Sequence, residues 1–239
     1  MQALEQSSEE NWLLKSVDPD DYEWISEHLK PVELKVGDVF AERDQPFEYV
    51  YFMGTGVVSV TNQVDDGTVE VGTVGNEGVA GITAWLSGGG IPSRTFVQVP
   101  GAGKRMKASV FAEGVDERPA LRRLVNRYIQ GYMVQVAQTA ACNRAHNVSS
   151  RCARWLLMTH DRVNGTDTFP LTHQFLAYML GVRRAGVTVA AGELQKAGLI
   201  KYTRGHVTIL DRPGLENVAC ECYETVRNHM KSMVGKPAG

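Results

Sequence analysis

The spacing of hydrophobic positions changes twice along the chain. From Pro31 to about residue 110 they recur at every second residue, and on either side they recur at three and four. In the middle stretch, Val32-Leu34-Val36, Val39-Phe40, Tyr49–Phe52, Val57–Val60, Val69–Val74 and Thr95–Val99 read as strands, with Met106–Ser109 as the last. Gly37-Asp38, Gly54, Gly56, Asp65-Asp66-Gly67 and Gly75-Asn76 punctuate them. Many short strands with glycine turns predict an antiparallel barrel or sandwich over about 31–110.

Helical spacing frames this region. Residues 9–30 carry Trp12, Leu13, Leu14, Tyr22, Trp24, Ile25 and Leu29, with Asp18-Pro19-Asp20 restarting the helix at its proline. Residues 117–145 form the longest helical stretch. Val125, Ile129, Tyr132, Val136, Thr139, Asn143 and His146 follow a 4-3-4-3 spacing, the seam pattern of a partner helix. Leu121, Leu124 and Tyr128 make a second stripe suited to the barrel. Two stripes on one helix predict that one faces a second copy of the chain; the alternative is one broad face buried within a monomer. Ser149-Ser150 opens a helix over 151–162 with Cys152, Trp155, Leu156 and Met158 as its core, and Asn164–Asp167 is a turn.

Leu171–Ile200 reads as a helix-turn-helix. Thr172 is suited to cap the first helix, whose apolar face is Phe175, Leu176, Met179 and Leu180. Gly181 permits the left-handed turn that ends it, Ala177 leaves room for a steep crossing, and Val182 fills the corner. The second helix runs from about Arg183 to Ala197, with Val187, Ala190 and Leu194 inward. Arg183 and Arg184 lie on its first turn, where a recognition helix meets bases and phosphates. Gly186 and Gly192 count against it, each costing about 1 kcal/mol relative to alanine. The competing reading is an ordinary packed helical hairpin. Leu199–Thr203 and His206–Leu210 then flank Arg204-Gly205 as a two-stranded wing. Arg212-Pro213 stops the wing, residues 214–234 form one amphipathic helix, and 235–239 are a tail.

The net charge of −2 hides a division. Residues 1–113 hold 18 acidic and 8 basic side chains, whereas residues 114–239 hold 9 and 17. Only the basic back half suits a polyanion. No apolar run approaches the ~20 residues of a membrane span. The start of the chain lacks a basic segment followed by an apolar one, and Cys142, Cys152, Cys220 and Cys222 show no secreted framework, so a cytoplasmic protein is expected. Residues 31–110 contain no histidine, which disfavours a cupin-like metalloenzyme, and no nucleophile–base spacing stands out. The chain therefore reads as a non-enzyme.

This order of parts resembles the Crp/Fnr family of bacterial transcription regulators. The resemblance is strongest over Leu171–Ile200 and extends to the EYVYFMGTGVVSV stretch, the following DDG and the Gly-Asn-Glu-Gly turn. It implies an α+β chain with a jelly-roll, cyclic-nucleotide-binding-like barrel over 1–115. A dimerisation helix over 116–146 and a winged helix-turn-helix over 147–239 complete it. It also implies a homodimer on two-fold-related double-stranded DNA, with RNA polymerase as a further partner. Arg184 sits where the family places its guanine-reading arginine. Thr172 and Arg183 suit phosphate, and His173, Thr188, Arg204 and His206 are further candidate DNA contacts. Ala185 and Val189 replace polar base readers of many members, so the preferred DNA sequence is not transferable. The dimer residues carried by the seam are Val125, Ile129, Tyr132, Val136, Thr139 and Asn143.

The candidate effector residues are Gly81, Ile82, Arg94 and Thr95. In cyclic-AMP-binding members a Gly-Glu pair holds the ribose; here isoleucine follows Gly81. An unpaired buried ribose hydroxyl costs about 1–3 kcal/mol, so the sequence argues against cyclic AMP and leaves the effector open. A cyclic-nucleotide-responsive regulator and an interaction module without DNA binding are the alternatives. An iron–sulfur cluster or haem is also disfavoured, since residues 29–141 hold neither cysteine nor histidine. Cys220 and Cys222, on one helix, would point about 200° apart, so no metal site is assigned. Cys142 and Cys152 read as small apolar residues in the core.

Overall fold

The computed structural model describes residues 6–65 and 67–235; the expected tail falls outside it except for Gly235. Strands β1 (Lys30–Leu34), β2 (Val39–Ala41), β3 (Tyr49–Met53), β4 (Val57–Val64), β5 (Gly67–Val74), β6 (Val79–Ala80), β7 (Ser93–Val99) and β8 (Gly101–Lys107) build the front domain. They form two antiparallel four-stranded sheets, ordered β1-β8-β3-β6 and β2-β7-β4-β5. Leu34, Tyr51 and Met53 of one sheet meet Val58, Val74 and Val97 of the other in one buried cluster. This is the expected jelly roll. Its last strand begins earlier than the pattern predicts: β8 starts at Gly101, and Ala108 already opens a helix. Gly-Ala-Gly-Lys-Arg carries no alternating apolar signal, so the pattern alone could not reveal it.

Helices α1 (Trp12–Lys15) and α2 (Pro19–His28) precede the sheets, the latter capped by Asp18 with its proline in the first turn. Helix α3 (Thr83–Leu86) lies between β6 and β7. Helix α4 (Ala108–Glu117) leads into α5 (Pro119–Ala145), the long helix. Leu121, Leu124 and Tyr128 are buried under it, as expected of the barrel-facing stripe. The seam expected to face a partner is divided: Val125 is buried, Ile129, Tyr132, Val136 and Thr139 are half-buried, and Asn143 is exposed. Val125 has no exposed surface and joins the same core as Phe52 and Phe111. Tyr132 and Val136 line a cavity against the jelly roll. Thr139 accepts a hydrogen bond from Arg154 and Asn143 one from Arg151, both on the next helix. The face left exposed is shifted by one residue: Asn126, Gln130, Met133, Ala137, Ala140 and Arg144. It keeps the 4-3-4-3 interval, because neighbouring stripes on a helix share one spacing.

The back domain starts with α6 (Val148–His160), whose cap is Asn147 rather than a serine. A short strand that the sequence did not suggest, β9 (Thr168–Pro170), pairs with the wing. Then come α7 (His173–Leu180), α8 (Arg184–Lys196), and the wing strands β10 (Ile200–Thr203) and β11 (His206–Ile209). The final helix is two helices, α9 (Arg212–Val218) and α10 (Cys222–Val234). Arg212-Pro213 therefore begins a helix as well as ending the wing, since proline is tolerated in a first turn. Helix α10 runs back along α5: Cys222 receives a hydrogen bond from Gln138, and Arg127 donates to the Met233 carbonyl. Cys220 lies in the break before α10, so the geometry expected for two cysteines on one helix does not apply.

Candidate nucleic-acid interface

Helix α7 starts where a threonine hydroxyl is available. Thr172 Oγ1 accepts from the Phe175 amide at 3.1 Å. The helix ends at Gly181, whose φ of 59° suits glycine. The Val182 amide returns to the Ala177 carbonyl at 3.1 Å, closing the turn. Ala177 is buried at the crossing, and Val187, Ala190, Ala191 and Leu194 hold α8 against the domain core. That leaves Arg183, Arg184, Ala185, Thr188 and Val189 on the exposed face. Arg183 is the residue before the helix, and Arg184 its first residue. Helix amides and two guanidinium groups thus share one end, a favourable place for phosphate. A Cβ on Gly192 would meet nothing within 4 Å, so that glycine is not required by any neighbour within the chain.

The wing turns through Arg204 and Gly205, with φ of 48° and 78°, the two positive values of a tight hairpin. Arg204 and His206 are exposed, and the Leu171 amide donates to the Gly205 carbonyl at 2.7 Å. The wing tip and the start of α7 are therefore held side by side. His173 differs from its expected role. It is half-buried, its ring lies 4.4 Å from that of Tyr202, and its Nδ1 is 3.2 Å from Thr188 Oγ1. Burial and the nearby Arg184 hold its pKa below the usual value. Its ring thus bridges α7, α8 and the wing.

A joint between the two domains sets the attitude of this surface, and no sequence motif announced it. Phe175 of α7 meets Phe96 of β7 edge-on at 6.0 Å. Trp155 donates to Glu70 at 3.1 Å, and Ser59 donates to the same carboxyl at 2.6 Å. Arg162 and Glu77, both buried, form a forked pair with contacts of 2.7 and 3.0 Å. The Gly-Asn-Glu-Gly turn makes this possible. A Cβ on Gly75 would lie 2.2 Å from the Arg162 side chain, and one on Gly78 would lie 2.1 Å from Tyr128.

Burial pushes the Glu70 carboxyl up to about 7, against hydrogen bonds from Ser59 and Trp155 and the charges of Arg162 and Arg154. A folded value above the unfolded one means that the fold keeps this proton longer. Stability from the group is complete below its ordinary value of 4.5 and is lost as pH rises through about 7. Glu70→Gln removes the charge: its carbonyl oxygen still accepts from Trp155, and its amide donates to Ser59 Oγ, which turns its own proton to Gln98. Its urea midpoint is expected to exceed that of the parent at about pH 8 and to match it at about pH 5. Equal pH profiles for the two proteins would contradict this origin.

Between the jelly roll and α5 lies an open cavity of about 170 Å³, lined by Val71, Val74, Val79, Ile82, Tyr128, Tyr132 and Val136 among others. Gly81, Ile82 and Thr95 reach it, but Arg94 does not. Alternation along β7 turns Ser93 and Thr95 inward and Arg94 outward, where it pairs with Glu42 at 3.1 Å and lies over Phe96. The expected four-residue effector set is thus split, and its cation is on the wrong side for a ligand in this cavity.

A jelly roll joined through a long helix to a winged helix-turn-helix defines a class of two-domain DNA-binding regulators. Residues 150–218 match the Crp-like helix-turn-helix domain. Among solved structures, FixK2 from Bradyrhizobium japonicum superposes with a TM-score of 0.67 at 17% identity, over 80% of this chain and 98% of that one. A CRP-family transcriptional regulator from Thermus thermophilus gives 0.63 at 21%, over 80% and 96%. The regulator CLP of Xanthomonas campestris, described as responsive to c-di-GMP, gives 0.61 at 15%, over 80% and 99%. No curated protein matches by sequence. Residues 150–218 thus have the Crp-like helix-turn-helix pattern, and the chain as a whole has the fold of the Crp/Fnr regulators. Among the described residues no helix is long and apolar enough to cross a membrane.

Proposed function

We propose that the protein is a cytoplasmic transcription regulator, not an enzyme, that binds double-stranded DNA as a homodimer. The observation that carries this reading is the exposed Arg183-Arg184 pair at the start of α8, next to a wing that presents Arg204. Arg184 reads guanine, Arg183 and the wing hold phosphate, and the methyl groups of Ala185, Thr188 and Val189 suit thymine. Dimerisation uses the exposed face of α5 around Met133, Ala137 and Ala140, where two alanines let helices approach closely. Two α8 helices must then lie about 34–36 Å apart to enter successive major grooves. RNA polymerase is the partner that the family resemblance implies.

An effector enters this scheme only by preferring one arrangement of the two long helices. The cavity beneath α5 touches Tyr132 and Val136 directly, so its contents bear on that arrangement. Its apolar lining favours a small apolar effector over a cyclic nucleotide. Selection of bound duplexes from a random pool tests the main reading. The expected result is an inverted repeat with half-sites about one helical turn apart. A pool that shows no enrichment at low salt would overturn it.

A further inference from the structure

Four side chains from two distant stretches of sequence converge at the far end of α5. Cys142 lies in the last turn of α5 and His146 caps its end, and Cys220 and Cys222 come from the break before α10 and its first residue. One donor atom from each lies within 4.8 Å of every other. Cys142 Sγ is 3.5 Å from Cys220 Sγ, and His146 Nδ1 is 3.6 Å from Cys222 Sγ. All three cysteines are buried. A tetrahedral ion with metal–sulfur bonds of about 2.3 Å has edges of about 3.8 Å between ligand atoms, close to these separations. A cluster of several irons, with sulfides between them, needs its thiolates spread wider.

The surroundings fit an occupied site. His146 turns Nδ1 toward the sulfurs, and its other nitrogen, Nε2, lies 3.2 Å from the Glu221 carboxylate. That is the arrangement by which an outer carboxylate fixes the ring of a metal-binding histidine. Gln138 donates to Cys222 Sγ at 3.0 Å, a bond that a thiolate accepts well. The guanidinium of Arg151 donates to Asn143, the residue after Cys142, at 2.7 Å. Three thiolates and a dication leave one negative charge, which that arginine offsets.

We propose that Cys142, His146, Cys220 and Cys222 bind one zinc ion, which joins the end of α5 to the start of α10. Each thiol gives up its proton to solvent as the ion binds. Helix α6, the first of the DNA-binding domain, starts two residues after His146. The ion therefore clamps the joint between the long helix and that domain. Nothing in this depends on DNA binding, so the site and the regulatory reading stand or fall separately.

The test uses the full chain purified under reductant. Elemental analysis is expected to find one zinc per chain. Cobalt(II) in its place is expected to give the visible bands of a tetrahedral site and a thiolate-to-cobalt band in the near ultraviolet. Cys222→Ser and Cys142→Ser lose the ion, while Cys152→Ser keeps it, because Cys152 is buried elsewhere in the core of the back domain. Buried cysteine variants can unfold, so Glu221→Gln provides a second arm. This exposed residue is no ligand, and its change is expected to weaken zinc by about 10–100-fold with the fold intact. A folded, reduced protein that takes up neither zinc nor cobalt would overturn the proposal. So would iron with acid-labile sulfide in place of zinc, or a Cys142–Cys220 disulfide in the reduced preparation. Equal loss of the ion from Cys152→Ser would also count against it.

Discussion

Arg162→Met is expected to cost about 3–5 kcal/mol of stability, read as a lower urea midpoint. Arg162 and Glu77 are about 6% and 5% exposed, so removing one leaves the other charge buried. Arg162 also donates to the Met158 carbonyl at 3.1 Å and to Gln135 at 3.2 Å. One guanidinium therefore links the β5–β6 turn, α5 and α6. The double variant Glu77→Met with Arg162→Met removes both charges and is expected to recover most of the loss, since a buried pair itself adds little net stability. A loss below about 1 kcal/mol in the single variant would show that water reaches the pair.

Arg184→Ala is expected to abolish site selection while leaving dimer mass and thermal midpoint unchanged. A bidentate arginine on guanine is worth about 1–3 kcal/mol of discrimination. With two copies in a dimer, affinity for the selected duplex falls by roughly 10²-fold or more. Arg183→Ala separates the two roles: it lowers affinity for all duplexes and reduces the salt slope by about two, one for each subunit. An Arg184→Ala protein that still selects the same site would remove Arg184 from the reading.

The helix-turn-helix and its wing are legible in the chain because their signals are local. The Thr172 cap, the Gly181 turn, the inward Val187, Ala190 and Leu194, and the Arg204-Gly205 hairpin each depend on residues within a few positions of one another. Backbone conformation and helical phase settle such features before any long-range contact forms. His173 departs from its expected role because its partners, Tyr202 and Thr188, come together only when helix, helix and wing are assembled.

Three other features turned on choices that local spacing leaves degenerate. A heptad stripe and its neighbour on α5 have the same interval, and only the shape of the jelly roll selects Val125 for the core and Met133 for the surface. A strand alternates its faces, and only the register of β7 puts Thr95 inside and Arg94 outside. Cys142 read as a small apolar residue because its partners lay up to 78 residues away and depended on a helix break at Cys220. Residue order was thus sufficient for the period of most elements, for the Thr172 cap and the turns at Gly181 and Arg204-Gly205, and for the arginines they present, but not for β9 or the break before α10. Which face looks inward, and which distant side chains become neighbours, came from burial. Burial is a property of the assembled surfaces and not of any one segment.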